Sequence, residues 1–201
     1  MSGHNRYFEV QSKYRNLHEA FEKRETINFA MASTKPAEPC VFLSHRSTDK
    51  EAVRKIGEYI LSKDIDIYLD ADDPNLQRAD RENDHKAVTA AIELGISKST
   101  DLLAYLTPNT ATSPWVPYEI GFGKRHGNHL AAMKSKDLSV LPSYLVIVRQ
   151  ITGIDSLNTY LQEILQRPRP GRLTNFSGYA KSLLLEASAP NHPLAHYLSA
   201  H

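Results

Sequence analysis

The chain has 201 residues, enough for one domain with an extension and too few for two full domains. Its 24 lysines and arginines against 23 aspartates and glutamates give a net charge of +1, so no global field draws it to nucleic acid or to an acidic membrane. One cysteine, Cys40, rules out an internal disulfide, and the lack of an apolar h-region or a membrane-length apolar run predicts a soluble, cytoplasmic protein.

From Tyr7 to Ile27, Val10, Tyr14, Leu17 and Phe21 recur at helical spacing among charges and predict an amphipathic helix. The two prolines of residues 32–39 mark a linker. This divides the chain into an N-terminal extension over 1–38, a main domain over 39–189 and a tail over 190–201.

The main domain opens with Cys40-Val41-Phe42-Leu43, a continuous apolar run expected of a central strand buried on both faces, with Cys40 as a small core residue. After the polar loop Ser44 to Ser47, Thr48 and Glu51 have capping-box spacing ahead of a stripe of Ala52, Val53, Ile56 and Ile60. Residues 65–70 predict a second strand, and Val88, Ala91, Ile92, Gly95 and Ile96 one face of a second helix. Leu102 to Leu106 predict a third strand, and Tyr144 to Val148 a fourth after a looser region from His126 to Leu138. A helix carrying Leu157, Tyr160, Leu161, Ile164 and Leu165, a fifth strand over Arg172 to Phe176 and a last helix with Tyr179, Leu183 and Leu184 complete the reading.

Strands alternating with helices at this spacing predict an α/β fold, a parallel sheet covered by helices on both faces. Ligands of such sheets bind outside the carboxyl ends of the strands. Three polar segments converge there: Ser44 to Ser47, Asp70 to Asn75, and Thr107 to Glu119.

The third segment leads into Ser113-Pro114-Trp115-Val116-Pro117-Tyr118-Glu119, with the one tryptophan of the chain. Two neighbouring prolines are tolerated in a first helical turn, whose N–H groups lack partners anyway, so a helix is predicted to start here with Ser113 as its cap. Trp115 and Glu119 then stand at i and i+4 on one face. The ring suits either stacking on a flat heterocycle or a place in the core. The carboxylate suits either stabilising a developing positive charge or complementing the positive end of the helix dipole.

Val41-Phe42-Leu43-Ser44-His45-Arg46-Ser47-Thr48-Asp49-Lys50 resembles the first motif of bacterial Toll/interleukin-1 receptor (TIR) domains. Trp115-Val116-Pro117-Tyr118-Glu119 is similar to the Trp-x-x-x-Glu signature of that family, Ile92 to Ser99 to the segment before it, and Asn175 to Tyr179 to its last strand and helix. The resemblance implies a flavodoxin-like sheet of five parallel strands in the order 2-1-3-4-5. It also implies one of two activities. Some members cleave the nicotinamide–ribose bond of NAD, giving nicotinamide and ADP-ribose or a cyclic or conjugated ADP-ribose, often in antiviral defence; others are assembly modules that bind further TIR domains.

In the enzymatic branch Glu119 is implied to be catalytic, Trp115 a wall of the pocket, and Ser44 and His45 part of the loop lining the nucleotide site. Asp72 and Asp73 fall in the loop implicated in assembly and access, with Asp73 a substrate-binding candidate. NAD is then a substrate and no cofactor is expected. The implied partners are NAD, other TIR domains or a second copy, and a separate effector that responds to the product, with no nucleic acid and no membrane. His45 stands where the family often has an aromatic residue.

Other constellations carry less. Gly121-Phe122-Gly123 lacks the third glycine of a dinucleotide fingerprint, position 126 being His126. His192 and His196 have ligand spacing, but Pro193 lies between them and no second ligand pair accompanies them, so no metal is expected. Ser44 and His45 are consecutive extended residues with side chains on opposite faces, which argues against a nucleophile–base dyad. The basic run Arg167-Pro168-Arg169-Pro170-Gly171-Arg172 reads as solvated or as a phosphate contact.

Overall fold

A computed structural model describes residues 38–69, 81–82, 84–110, 113–168 and 192–200. Five strands, β1 (Cys40–Ser44), β2 (Asp66–Tyr68), β3 (Asp101–Leu106), β4 (His129–Lys134) and β5 (Arg149–Ile151), form one sheet. Their order is β2-β1-β3-β4-β5 and every pairing is parallel, as a flavodoxin-like α/β fold requires. Helices α1 (Lys50–Leu61), α2 (His85–Ser97), α3 (Trp115–His126) and α4 (Ile154–Gln166) connect and cover it. Among the described residues no helix is long and apolar enough to cross a membrane.

Side-chain alternation along the central strands builds two cores. Val41 and Leu43 of β1 and Leu103 and Tyr105 of β3 pack with α1 and α4, while Cys40, Phe42, Leu102, Ala104 and Leu106 pack with α2 and α3. Each strand is thus buried on both faces, which is why both read as unbroken apolar runs. Cys40 is a core residue, with Sγ 3.7 Å from Ser99 Oγ.

One expected strand is displaced. The fourth place in the sheet belongs to His129–Lys134, inside the stretch that reads as loose, and the fifth to Arg149–Ile151. Ala131 and Ala132 carry too little apolar surface to signal a strand, yet they are buried in the two cores at 2% and 0% exposure. The stronger apolar run, Tyr144 to Val148, instead forms a 3-10 turn over Ser143–Leu145 and a bend, with only Leu145 buried. The expected amphipathic helix over Tyr7 to Ile27, the strand over Arg172 to Phe176 and the last helix lie outside the described residues. The tail from His192 runs in turns, as expected of an irregular segment, but Leu194 and Leu198 are buried and Ser199 bridges Gly153.

The capping box of α1 does not form. Residues Ser47–Asp49 make a 3-10 turn and the α1 cap has no side-chain hydrogen bond, because its acids are used elsewhere. Asp49 Oδ2 accepts from Thr107 Oγ1 at 2.9 Å, and Glu51 accepts from the Tyr197 hydroxyl at 3.2 Å. Asp84 caps α2, accepting from the Ala87 N–H at 3.0 Å.

Close approach explains Gly95 on α2. A Cβ there would lie 2.4 Å from the Tyr68 ring, which is itself buried and stacked on Phe42 at 5.3 Å. Gly95→Ala is therefore expected to lower the free energy of unfolding by about 1–3 kcal/mol through overpacking, despite alanine's better helix propensity. Urea denaturation followed by circular dichroism measures it.

Two buried phenols set the alkaline limit of stability. Burial, reinforced by Asp49 and Asp137, pushes the Tyr105 hydroxyl up to about 12, and burial with Asp101 holds Tyr160 well above the usual tyrosine range. Both are neutral in the fold, so their contribution is complete below the unfolded value of about 10 and is lost as pH rises through the folded values. The denaturation midpoint is expected to fall between about pH 10 and 12, and to fall less in Tyr105→Phe.

Candidate active site

The site forms where β1 ends against α3. Ser44 closes β1 in register with Ala104, and since Phe42 faces the α2/α3 core, Ser44 faces it as well. On α3, Val116, Glu119, Ile120 and Gly123 form the buried face. That geometry delivers Glu119 to Ser44: the Ser44 hydroxyl donates to Glu119 Oε2 in a short hydrogen bond between side chains only 1% and 5% exposed.

Helix α3 is built for this placement. Pro117 sits in the first turn, where its missing N–H costs nothing. The expected cap differs, since Pro114 rather than Ser113 holds the N-cap position and no side chain caps it. At the other end Gly127 adopts the left-handed conformation at φ 83°, and Lys124, Arg125 and His126 complement the negative end of the dipole. Asn128 then anchors the turn, its Nδ2 donating to the carbonyls of Ile96 at 3.1 Å and Ser99 at 2.7 Å.

Other candidates from the sequence are placed differently. Trp115 is half-buried and begins an aromatic run along α3, meeting Tyr118 edge-on at 6.0 Å, followed by Phe122 and His126. The Tyr118 hydroxyl donates to Glu93 of α2 in a short hydrogen bond. Trp115 also packs against the α2/α3 core, so its ring serves that core and the helix surface together. His45 is half-buried with Nδ1 3.0 Å from the Leu43 carbonyl, while Ser44 is turned to Glu119, so the two do not act as a dyad. Asp72 and Asp73 lie outside the described residues.

Several groups without a sequence signal stitch the rim. Arg46 donates to the Asn109 carbonyl at 2.6 Å, and Thr107 accepts on its hydroxyl from the Asn109 N–H at 3.2 Å while its own N–H donates to Thr110 Oγ1 at 2.8 Å. With the Asp49–Thr107 bond these tie the loop after β1 to the loop after β3. Gly121-Phe122-Gly123 is interior to α3 and offers no phosphate loop.

Chemically, the arrangement is one buried carboxylate, oriented by a hydroxyl, at the carboxyl edge of a parallel sheet. It can accept hydrogen bonds from ligand hydroxyls and stabilise nearby positive charge. No curated protein matches the chain. A family model described as TIR domain matches residues 41–160, more than half of the chain, and spans β1 with its loop, the α3 motif and most of α4. With the five-stranded order and the Ser44–Glu119 pair inside that span, the chain belongs to the TIR domain family.

Proposed function

We propose that this TIR domain cleaves the nicotinamide–ribose bond of NAD, with Glu119 as the catalytic carboxylate. The observation that supports it is the burial of Glu119 against Ser44 at the carboxyl end of β1, since a carboxylate withdrawn from water is most effective at stabilising a cation formed beside it. Nicotinamide leaves as a neutral group, taking the electron pair of the C1′–N bond and leaving an oxocarbenium-like ribose. Glu119 stabilises that charge and orients the ribose hydroxyls, one of which joins the Ser44 hydroxyl at the carboxylate. Water then adds to C1′ and gives up a proton to solvent to form ADP-ribose, or a nucleophilic group of the nucleotide or of an acceptor adds, losing its proton where it carries one, to form a cyclic or conjugated product.

In this reading Trp115 borders the nicotinamide, His45 and Ser44 belong to the nucleotide loop, and Asp73 contributes from the loop after β2. The domain acts in antiviral defence, its product read by a separate effector. Chromatography and mass spectrometry of NAD incubated with purified protein test it, with Glu119→Gln as the control. Absence of nicotinamide at high protein concentration would count against the activity, and an unchanged rate in the variant would count against the site.

A second reading, a non-catalytic module that binds further TIR domains, is favoured by the exposed apolar segment after β4. Val140 and Ile147 are each 75% exposed and Val146 61%, all within residues 140–147. Light scattering of wild type and Val146→Asp/Ile147→Asp separates this reading, through loss of association with NAD cleavage intact or absent.

A further inference from the structure

A second cleft, of about 480 Å³, opens at the carboxyl ends of β3 and β4. It lies on the other side of the sheet from Glu119: Tyr105, which lines it, packs in the α1/α4 core, whereas Glu119 stands on α3 among residues of the α2/α3 core. Asp49 and Glu51 enter it from the start of α1, Ser135 and Asp137 from the turn after β4, and Tyr197 from the tail. The tail is held in place by the buried Leu194 and Leu198 and by Ile154 N–H donating to the Ser199 carbonyl at 2.9 Å.

Its chemistry is one-sided. Among the described residues three carboxylates and one histidine, His196, line the cleft and no lysine or arginine does; Lys55, near Glu51, is held by Glu58 at 2.9 Å. Asp137 makes no ion pair or side-chain hydrogen bond among the described residues, and Asp49 uses only Oδ2, on Thr107. An independent observation points the same way. Ser135 is 4% exposed and its hydroxyl is buried with no hydrogen-bond partner, although its N–H donates to the Leu106 carbonyl at 2.8 Å. Native proteins seldom leave such an atom unpaired, and here it belongs to a residue of the wall of an acidic cavity of ligand size.

We propose that this cleft binds a small organic cation with several N–H donors, of the guanidinium or diamine class, its charge met by Asp49, Glu51 and Asp137 and one N–H donated to the Ser135 hydroxyl. A planar guanidinium matches carboxylates two bonds at a time, which a hydrated metal ion does not. The cleft shares Asp49, Thr107 and Asn109 with the rim of the Glu119 site, but its carboxylates repel a pyrophosphate, so it is distinct in ligand from that site.

Agmatine, titrated into the full chain by calorimetry and by saturation-transfer NMR, is the probe, with sodium chloride at matched ionic strength as reference. Saturable binding with a dissociation constant below about 1 mM is expected, weakened about tenfold or more in Asp137→Asn and unchanged in Glu119→Gln. Ser135→Ala is expected to weaken it by a smaller factor. Circular dichroism checks each variant, and Glu51→Gln replaces Asp137→Asn if the latter does not fold. No saturation up to about 10 mM agmatine, equal affinity in the folded carboxylate variant, or loss in Glu119→Gln overturns the proposal.

Discussion

Glu119→Gln is expected to abolish most nicotinamide release from NAD, by about 100-fold or more, while leaving the thermal midpoint close to that of the wild type. The substitution keeps the volume and one acceptor oxygen, so the Ser44 hydroxyl still finds a partner. What disappears is the negative charge. If Glu119 stabilises an oxocarbenium-like ribose, that charge acts in the transition state more than in the bound substrate, so kcat falls and KM changes little. Ser44→Ala separates orientation from charge: it leaves the carboxylate in place without its hydroxyl donor, and a loss smaller than that of Glu119→Gln is expected. Initial rates of nicotinamide formation across NAD concentrations, with circular dichroism of each variant, check both. Equal rates in wild type and Glu119→Gln would remove Glu119 from the mechanism.

Arg167→Ala is expected to cost about 3–5 kcal/mol of stability, the largest effect anticipated for a residue outside the two cores. Arg167 follows α4 and donates from Nη1 to Asp101 Oδ1 at 2.6 Å, and the Tyr160 hydroxyl donates to the same oxygen at 3.1 Å. Asp101, the first residue of β3, is 0% exposed and Thr100 donates to its other oxygen at 2.7 Å. Removing the guanidinium leaves a buried carboxylate with two neutral donors and no cation, whereas removing both charges is far less costly. The double variant Asp101→Asn/Arg167→Ala is thus expected to be more stable than the sum of its singles predicts. Guanidinium denaturation of the four proteins measures the coupling, and strict additivity would show that the pair is not interacting.

The Asp101–Arg167 pair also marks where reading the chain stops. Arg167 belongs to a basic, proline-rich run that reads as solvated or as a phosphate contact, and nothing within that run indicates a buried acid 66 positions earlier. The fourth strand failed to register for a related reason. Apolar content tracks how much surface a residue can bury, and the central positions of β4 are alanines, which offer little apolar surface although both are buried. The richer Tyr144-Leu145-Val146-Ile147-Val148 run satisfied the strand pattern but stayed at the surface, where it becomes a candidate for contact with other TIR domains. The box at Thr48 and Glu51 met its spacing requirement too, and lost to tertiary partners of the neighbouring acids at Thr107 and Tyr197.

By itself the sequence determined the class of fold and the position of its center. Unbroken apolar runs at β1 and β3, separated by amphipathic helices, permit little besides a parallel sheet covered on both sides, and the paired prolines place the start of α3 within one residue. They also put Glu119 on a helix leaving the carboxyl edge of the sheet. Only the tertiary structure decided that its partner is Ser44, that Trp115 begins an aromatic run, and that acids from two distant segments share a cleft on the opposite face. Hydrogen bonds between residues 75 positions apart leave no periodicity along the chain, because the sheet brings them together through register and alternation and not through spacing.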